Sequence, residues 1–430
     1  MRLWGRRIGA VFLPDGADAA VFEFEPAFVD SGIEVSPLAM PLRSGPQAFP
    51  GLGQAAFKGL PGLLADSLPD RYGNALIDAW LATQGRRPGD FDAVERLCYI
   101  GRRGMGALEY APARGPRPSQ LRDLEIGELI ALASEVLSRR EDLAASFAES
   151  EREQALKDIL SVGTSAGGAR AKAVIAWNPG SQEVRSGQID PGDGFEHWLL
   201  KFDGVRGNRD KEQLEDPQGY GAIEYAYSLM AKAAGIEMSE CRLLEENGRR
   251  HFMTRRFDRP PEGGKLHMQS LAALAHLDFN QAGAHSYEQA LLVIRRLGLP
   301  MAQIEQQFRR MAFNAIARNQ DDHVKNIAFL MDRSGRWSLS PAFDMTYAYQ
   351  PGGQWTSRHQ MTIDGKRDDF TLEDFERCAE SASMKRGRAA TIVEEVREAV
   401  STWPSLAAEA RVPEEYVKRI AHAHRLDLPH

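Results

Sequence analysis

The sequence predicts an α/β protein in two lobes, the second mostly helical, with an added β-containing domain in front. Three patterns point there. Short alternating segments near the start, IGAVFLPD and AVFEFE, have the period-2 apolar repeat of small strands broken by Pro, Gly and Asp turns. Two further strand patterns, AKAVIAW and HWLLKFDG, stand mid-chain on either side of a Gly, Pro and Asp turn region. Beyond about Pro260, apolar residues return at helical spacing in SYEQALLVIRRLGL, MAQIEQQFRRMAFNAIA and TIVEEVREAV.

Taken in order, residues 1–112 form the expected N-terminal β-containing domain. Its loop GLPGLLADSLPD leads into Leu76, Ile77, Trp80 and Leu81 at helical spacing, predicting a helix that starts after Asp70 and ends at Gly85. The Pro-rich, basic stretch ARGPRPSQ (Ala113–Gln120) marks a linker, so residues 113–260 are expected to be a first lobe and 261–430 a second. LRDLEIGELIALASEVLSRRE opens the first lobe as an amphipathic helix, ahead of the two strands. The tail AHAHRLDLPH holds His422, His424 and His430, and is read as a solvated helix end rather than a metal site.

Composition narrows the function classes. The 430 residues are 43% hydrophobic and 26% charged, an ordinary globular balance for two or three domains. A net charge of -7 gives no global cationic field for nucleic acid or an anionic membrane, so DNA contact is expected only through a partner. Cys98, Cys241 and Cys378 have no metal-ligand spacing, and no run approaches the roughly 20 apolar residues of a membrane span. A soluble, cytoplasmic protein without membrane contact is expected.

Four polar islands follow one another. The first is the small-residue loop SVGTSAGGARAK (Ser161–Lys172), where Gly163, Gly167 and Gly168 permit close backbone approach and successive N–H groups could cradle phosphate; a plain connecting loop is the alternative. The second is Lys201 at the end of HWLLK, which either faces solvent or grips phosphates as a strand lysine does in kinases. The third is RNQDDHVKNIAFL (Arg318–Leu330). Asp321 with Asn326 five residues on would supply an acceptor for a hydroxyl proton and an oxygen ligand for Mg²⁺. Lys325 could neutralise phosphoryl charge, while Asp322 and His323 could instead only support the loop. The fourth is LSPAFD, ending at Asp344, an oxygen donor that would complete a Mg²⁺ pair with Asn326. That order, glycine loop, strand lysine, Asp-x4-Asn, strand then Asp, is the layout of a protein-kinase-like fold around ATP.

The chain resembles the HipA family of bacterial serine/threonine kinases, toxins of type II toxin-antitoxin modules. The residues that bear the likeness are DDHVKN (Asp321–Asn326), PAFD ending at Asp344, SAGGARAK (Ser165–Lys172), Lys201, RRFDR (Arg255–Arg259) and the N-terminal GLPGLLADSLPDRYG. The resemblance implies Asp321 as catalytic base, with Asn326 and Asp344 as Mg²⁺ ligands; Lys325 joins Asp321 as a catalytic candidate on its charge alone. It implies ATP contacts from Gly167, Gly168, Ala169, Arg170, Ala171, Lys172, Lys201, Arg255, Arg256, Phe257, Asn326 and Asp344, and His323, inside the DDHVKN loop, is a further ATP-binding candidate. Ser165 falls where the family carries an autophosphorylated, self-silencing serine. A protein substrate such as an aminoacyl-tRNA synthetase and a helix-turn-helix antitoxin that binds operator DNA are implied partners. A small-molecule kinase and an idle antitoxin-binding co-repressor are the alternatives.

Overall fold

The computed structural model describes residues 1–115, 124, 126–138, 159–160, 162–163, 170–188, 190–205 and 218–429. The mixed α/β architecture matches the expected class. It divides into two compact units, one of Met1–Val35, Pro41–Gly221 and Arg242–Met268, the other of Ser36–Met40, Ala222–Cys241 and Gln269–His430.

The first unit begins with an antiparallel sheet in which Val21–Phe24 lies between Gly9–Phe12 and Pro46–Ala48. Alternation places Phe22 and Phe24 in the core and Glu23 outside. Gly9 is required there, because a Cβ would stand 2.4 Å from the Glu23 carbonyl oxygen and 2.5 Å from the Phe22 ring. A second small sheet pairs Arg2–Leu3 with both Arg6–Arg7 and Leu108–Glu109. Between these sheets in the chain, helix Arg71–Thr83 starts where expected, capped by the Asp70 carboxylate accepting from the Gly73 N–H at 2.6 Å.

A five-stranded sheet completes this unit, in the order Cys241–Glu246, Arg249–Arg255, Glu196–Lys201, Lys172–Trp177, Val184–Ser186. The two strands read from AKAVIAW and HWLLK are antiparallel neighbours, with Lys172 opposite Lys201 and Ile175 opposite Trp198. Lys172–Trp177 is buried along its whole length. Helix Ile126–Ser138 packs Ile126, Leu129, Ile130 and Ala133 into the same apolar cluster as Ile175, Trp198, Leu200 and Leu76.

The second unit is built around helix Met301–Ile316, which packs on Tyr287–Arg296 and Arg388–Ser401 and buries Ile304, Phe308, Met311 and Phe313. Tyr287–Arg296 opens with a reciprocal Ser286/Gln289 capping box. After Met301–Ile316 the chain turns at Arg318, whose φ of 59° is left-handed. It then forms the antiparallel hairpin Ala328–Met331 and Trp337–Leu339.

The tail departs from the solvated end expected of it. His422 is exposed, but the His424 ring lies 5.8 Å from the Trp403 ring and its Nε2 is 3.0 Å from the Tyr227 hydroxyl. The Arg425 N–H donates to the Ile316 carbonyl at 2.9 Å, and its guanidinium to Ala315 O at 3.0 Å. These bonds satisfy carbonyls at the end of Met301–Ile316 that the helix itself cannot. Among the described residues no helix is long and apolar enough to cross a membrane.

Candidate active site

In the second unit, the end of helix Met301–Ile316 delivers the polar loop. Its backbone is pinned to the segment after Asp344: Ala348 N–H donates to Arg318 O at 3.1 Å, and Gln320 N–H to Ala348 O at 3.0 Å. The Asn319 side chain donates to the Asp344 carbonyl at 3.2 Å. Two segments that are far apart in sequence are thereby joined. Asp344 itself has φ 52°, a left-handed conformation that aspartate tolerates better than most residues, and is flanked by buried Met345.

The adjacent aspartates take opposite environments. Asp322 is buried and accepts from the Tyr287 hydroxyl at 2.8 Å, His359 Nδ1 at 2.9 Å and the Gln360 N–H at 2.7 Å. Burial opposes its ionisation, but the His359 ring and these donors together hold its carboxyl below the usual range. It is a structural anchor. The Asp321 side chain is 45% exposed, and its Oδ1 accepts from the Trp355 indole N–H at 2.7 Å. A nearly half-exposed carboxylate can meet a substrate.

Residues 324–326 form one turn of 3-10 helix preceded by the extended residue His323, with Val324 buried as its anchor. Asn326 donates its side-chain N–H to the Asp321 carbonyl at 2.8 Å, so its amide oxygen is turned from that bond and offers an acceptor. Phe279 forms a platform here: the Lys325 ammonium lies 4.6 Å from its ring centre and the His323 ring 6.1 Å away. His323 Nε2 is 3.9 Å from Asp321 Oδ1. An amide oxygen and a carboxylate are the hard donors Mg²⁺ accepts, and such ions take their remaining ligands from phosphate and water. Asn326 and Asp344 fit that chemistry.

In the first unit, Lys201 ends its strand half-buried, its ammonium 5.8 Å from the Phe252 ring centre. Lys172 points into the interior, where its ammonium pairs with the Asp70 carboxylate at 3.1 Å, the two side chains only 3% and 4% exposed. Ala171 is buried and its carbonyl accepts from Phe202 N–H at 3.1 Å, while the Arg170 guanidinium lies 4.5 Å from the Tyr220 ring. Arg255 pairs with Glu196 at 3.2 Å, and Phe257 is half-buried. The Arg256 guanidinium is buried and grips Asp258 through two bonds of 3.0 and 2.7 Å. Asp258 also accepts from Arg259 at 2.7 Å and the Gly106 N–H at 2.6 Å, a set that holds its carboxyl far below the usual range against the cost of burial. Gly167, Gly168, Ala169 and Ser165, with Ser161 and Thr164, lie outside the described residues.

Five groups carried too weak a sequence signal to be singled out. Asp203, in the KFDG that follows the strand lysine, is buried and accepts from the Gly219 N–H at 3.0 Å just ahead of helix Tyr220–Ala233. Glu224 is a buried carboxylate on that helix. Phe279, Trp355 and Gln360 belong to irregular segments where no periodicity marks them.

Two family models match the chain: the HipA N-terminal domain over residues 1–111, and the HipA-like C-terminal domain over residues 164–403, more than half of the sequence. A Haemophilus influenzae protein described as "Putative kinase" is 24% identical over 159 residues, 33% of this chain. That match spans 46% of the relative, under half its length. The HipA, HipB and operator DNA complex of the Shewanella oneidensis MR-1 toxin antitoxin system contains a chain of similar fold. The TM-score is 0.69 at 17% identity, covering 98% of this chain and 93% of that one.

Proposed function

The chain belongs to the HipA family, and from that premise we propose that it is an ATP- and Mg²⁺-dependent serine/threonine protein kinase, the toxin of a type II toxin-antitoxin module. The observation that carries this reading is the loop just described. An exposed Asp321 carboxylate stands beside an Asn326 amide fixed to its own backbone, on a segment bonded to that of Asp344.

In the proposed reaction the acceptor hydroxyl oxygen bonds to the γ-phosphorus, its proton passes to the Asp321 carboxylate, and the bond to ADP breaks. Asn326 Oδ1 and the Asp344 carboxylate would hold Mg²⁺, which when bound neutralises phosphate charge and aligns the phosphates. Lys201 would pair with nucleotide phosphate, and Lys325 would offset negative charge on the transferring group. The roles of Gly167 to Arg170 in cradling phosphate, of Arg255 to Phe257 along the adenine and of Ser165 as a self-silencing phosphosite extend the same reading. Lys172 and Arg256 enter it through their backbone, since both side chains are engaged by aspartates.

The acceptor protein is proposed to belong to translation, an aminoacyl-tRNA synthetase being the type. A helix-turn-helix antitoxin is the proposed partner. The relative solved with HipB and operator DNA supports that pairing, and a net charge of -7 supports DNA contact through the partner rather than the isolated chain.

The test is phosphate transfer from MgATP by the purified full-length chain, to itself and to candidate proteins. Asp321→Asn is nearly isosteric and should lower transfer by roughly 100-fold or more while keeping nucleotide binding. Equal transfer by the variant would remove Asp321 from the reaction, and no transfer by the wild type would favour an idle co-repressor.

A further inference from the structure

The paired aspartates are linked by a closed circuit of hydrogen bonds. Asp322 points inward and accepts from the Gln360 N–H at 2.7 Å and His359 Nδ1 at 2.9 Å, which fixes residues 359–360 against the loop. Gln360 in turn reaches forward with its side-chain amide, donating to the Trp355 carbonyl at 2.7 Å and the Gln320 carbonyl at 3.1 Å. Trp355 closes the circuit by donating its indole N–H back to Asp321 Oδ1 at 2.7 Å. From behind, Arg367 Nε donates to the His359 carbonyl at 2.6 Å and the His359 N–H to Arg367 O at 3.1 Å. The stretch Trp355–Gln360 is therefore held to residues 320–322 at both of its ends.

We propose that Trp355 is a positioning residue for phosphate transfer: its indole fixes the orientation of the Asp321 carboxylate on a frame that the buried Asp322 builds. This rests on the kinase reading given above. An indole N–H donates and never accepts, so it can orient a carboxylate without competing for the substrate proton. The ring has only two torsions, and Gln360 restrains its backbone, so little freedom is left to the bond. The bond narrows the orientations open to a carboxylate that is 45% exposed, and a base displaced by about 1 Å is a poor one.

The experiment has two arms on the full-length chain. In the first, indole ¹H–¹⁵N resonances are recorded for wild type, Trp355→Phe and Asp321→Asn. The resonance missing in Trp355→Phe should be the one that moves most in Asp321→Asn, and its failure to move would show that the bond does not exist. In the second arm, kcat and KM for MgATP are compared. Trp355→Phe should lower kcat by about 10-fold or more and leave KM within about 2-fold, because it disturbs orientation and not nucleotide binding. Trp337→Phe, on the hairpin, should change neither. An unchanged kcat in Trp355→Phe overturns the proposal, and a raised kcat overturns it in favour of Trp355 as a gate over Asp321. A wild type without transfer overturns the kinase reading and this role together, while the resonance arm still reports on the bond.

Discussion

Two neighbouring aspartates illustrate how little a residue type says without its surroundings. Asp322 satisfies three buried donors, so Asp322→Ala strands the Tyr287 hydroxyl, His359 and the Gln360 N–H. That variant should lose about 3 kcal/mol or more of stability in urea unfolding. Asp321→Asn, at a half-exposed position, should stay within about 0.5 kcal/mol of the wild type in the same measurement. The sequence showed the polar density of DDHVKN and its Asp-x4-Asn spacing. It could not show which aspartate faced inward, because successive side chains on irregular backbone have no fixed period. Trp355, 34 residues beyond Asp321, is invisible to any local pattern.

At the scale of elements, the alternating strands and amphipathic helices were legible, and so was the Asp70 start of helix Arg71–Thr83. Pairings between distant elements were not, and the Lys172–Asp70 contact is the clearest case. AKAVIAW gives no sign that its lysine will turn inward to meet a helix cap. Asp70→Asn keeps a competent cap but leaves Lys172 buried without a counter-charge, and should cost about 3 kcal/mol. Lys172→Met alone should be similarly harmful, whereas the double variant Asp70→Asn/Lys172→Met should recover most of the loss. Four urea curves measure this cycle, and simple additivity would mean that the two residues do not interact.

For the whole molecule, acid is the informative variable. Burial lowers the pKa of His197, His251, His267 and His276 to about 4 and of His424 to about 3. These rings stay neutral in the folded chain while the unfolded chain takes up protons near the ordinary value of 6.5. Their contribution to stability is complete above that value and is lost as pH falls toward 4. The melting temperature should therefore drop steadily from about pH 7 to about pH 5, and His267→Gln should flatten the drop by about one proton. A profile that is level over this range would show the rings to be protonated in place.

The clasp of Asp258 by Arg256, Arg259 and Gly106 has a practical bearing on how the protein can be dissected. Arg259 also donates to Gly106 O at 3.0 Å, so residues of the segment matched by the N-terminal family model complete the solvation of charges in the segment matched by the C-terminal one. A clone beginning after residue 111 would discard those partners and open a buried carboxylate and two guanidinium groups to water. Such a fragment should express as an aggregating or partly unfolded species. An absence of activity in it would report the excision and carry no information about the chemistry of the intact chain.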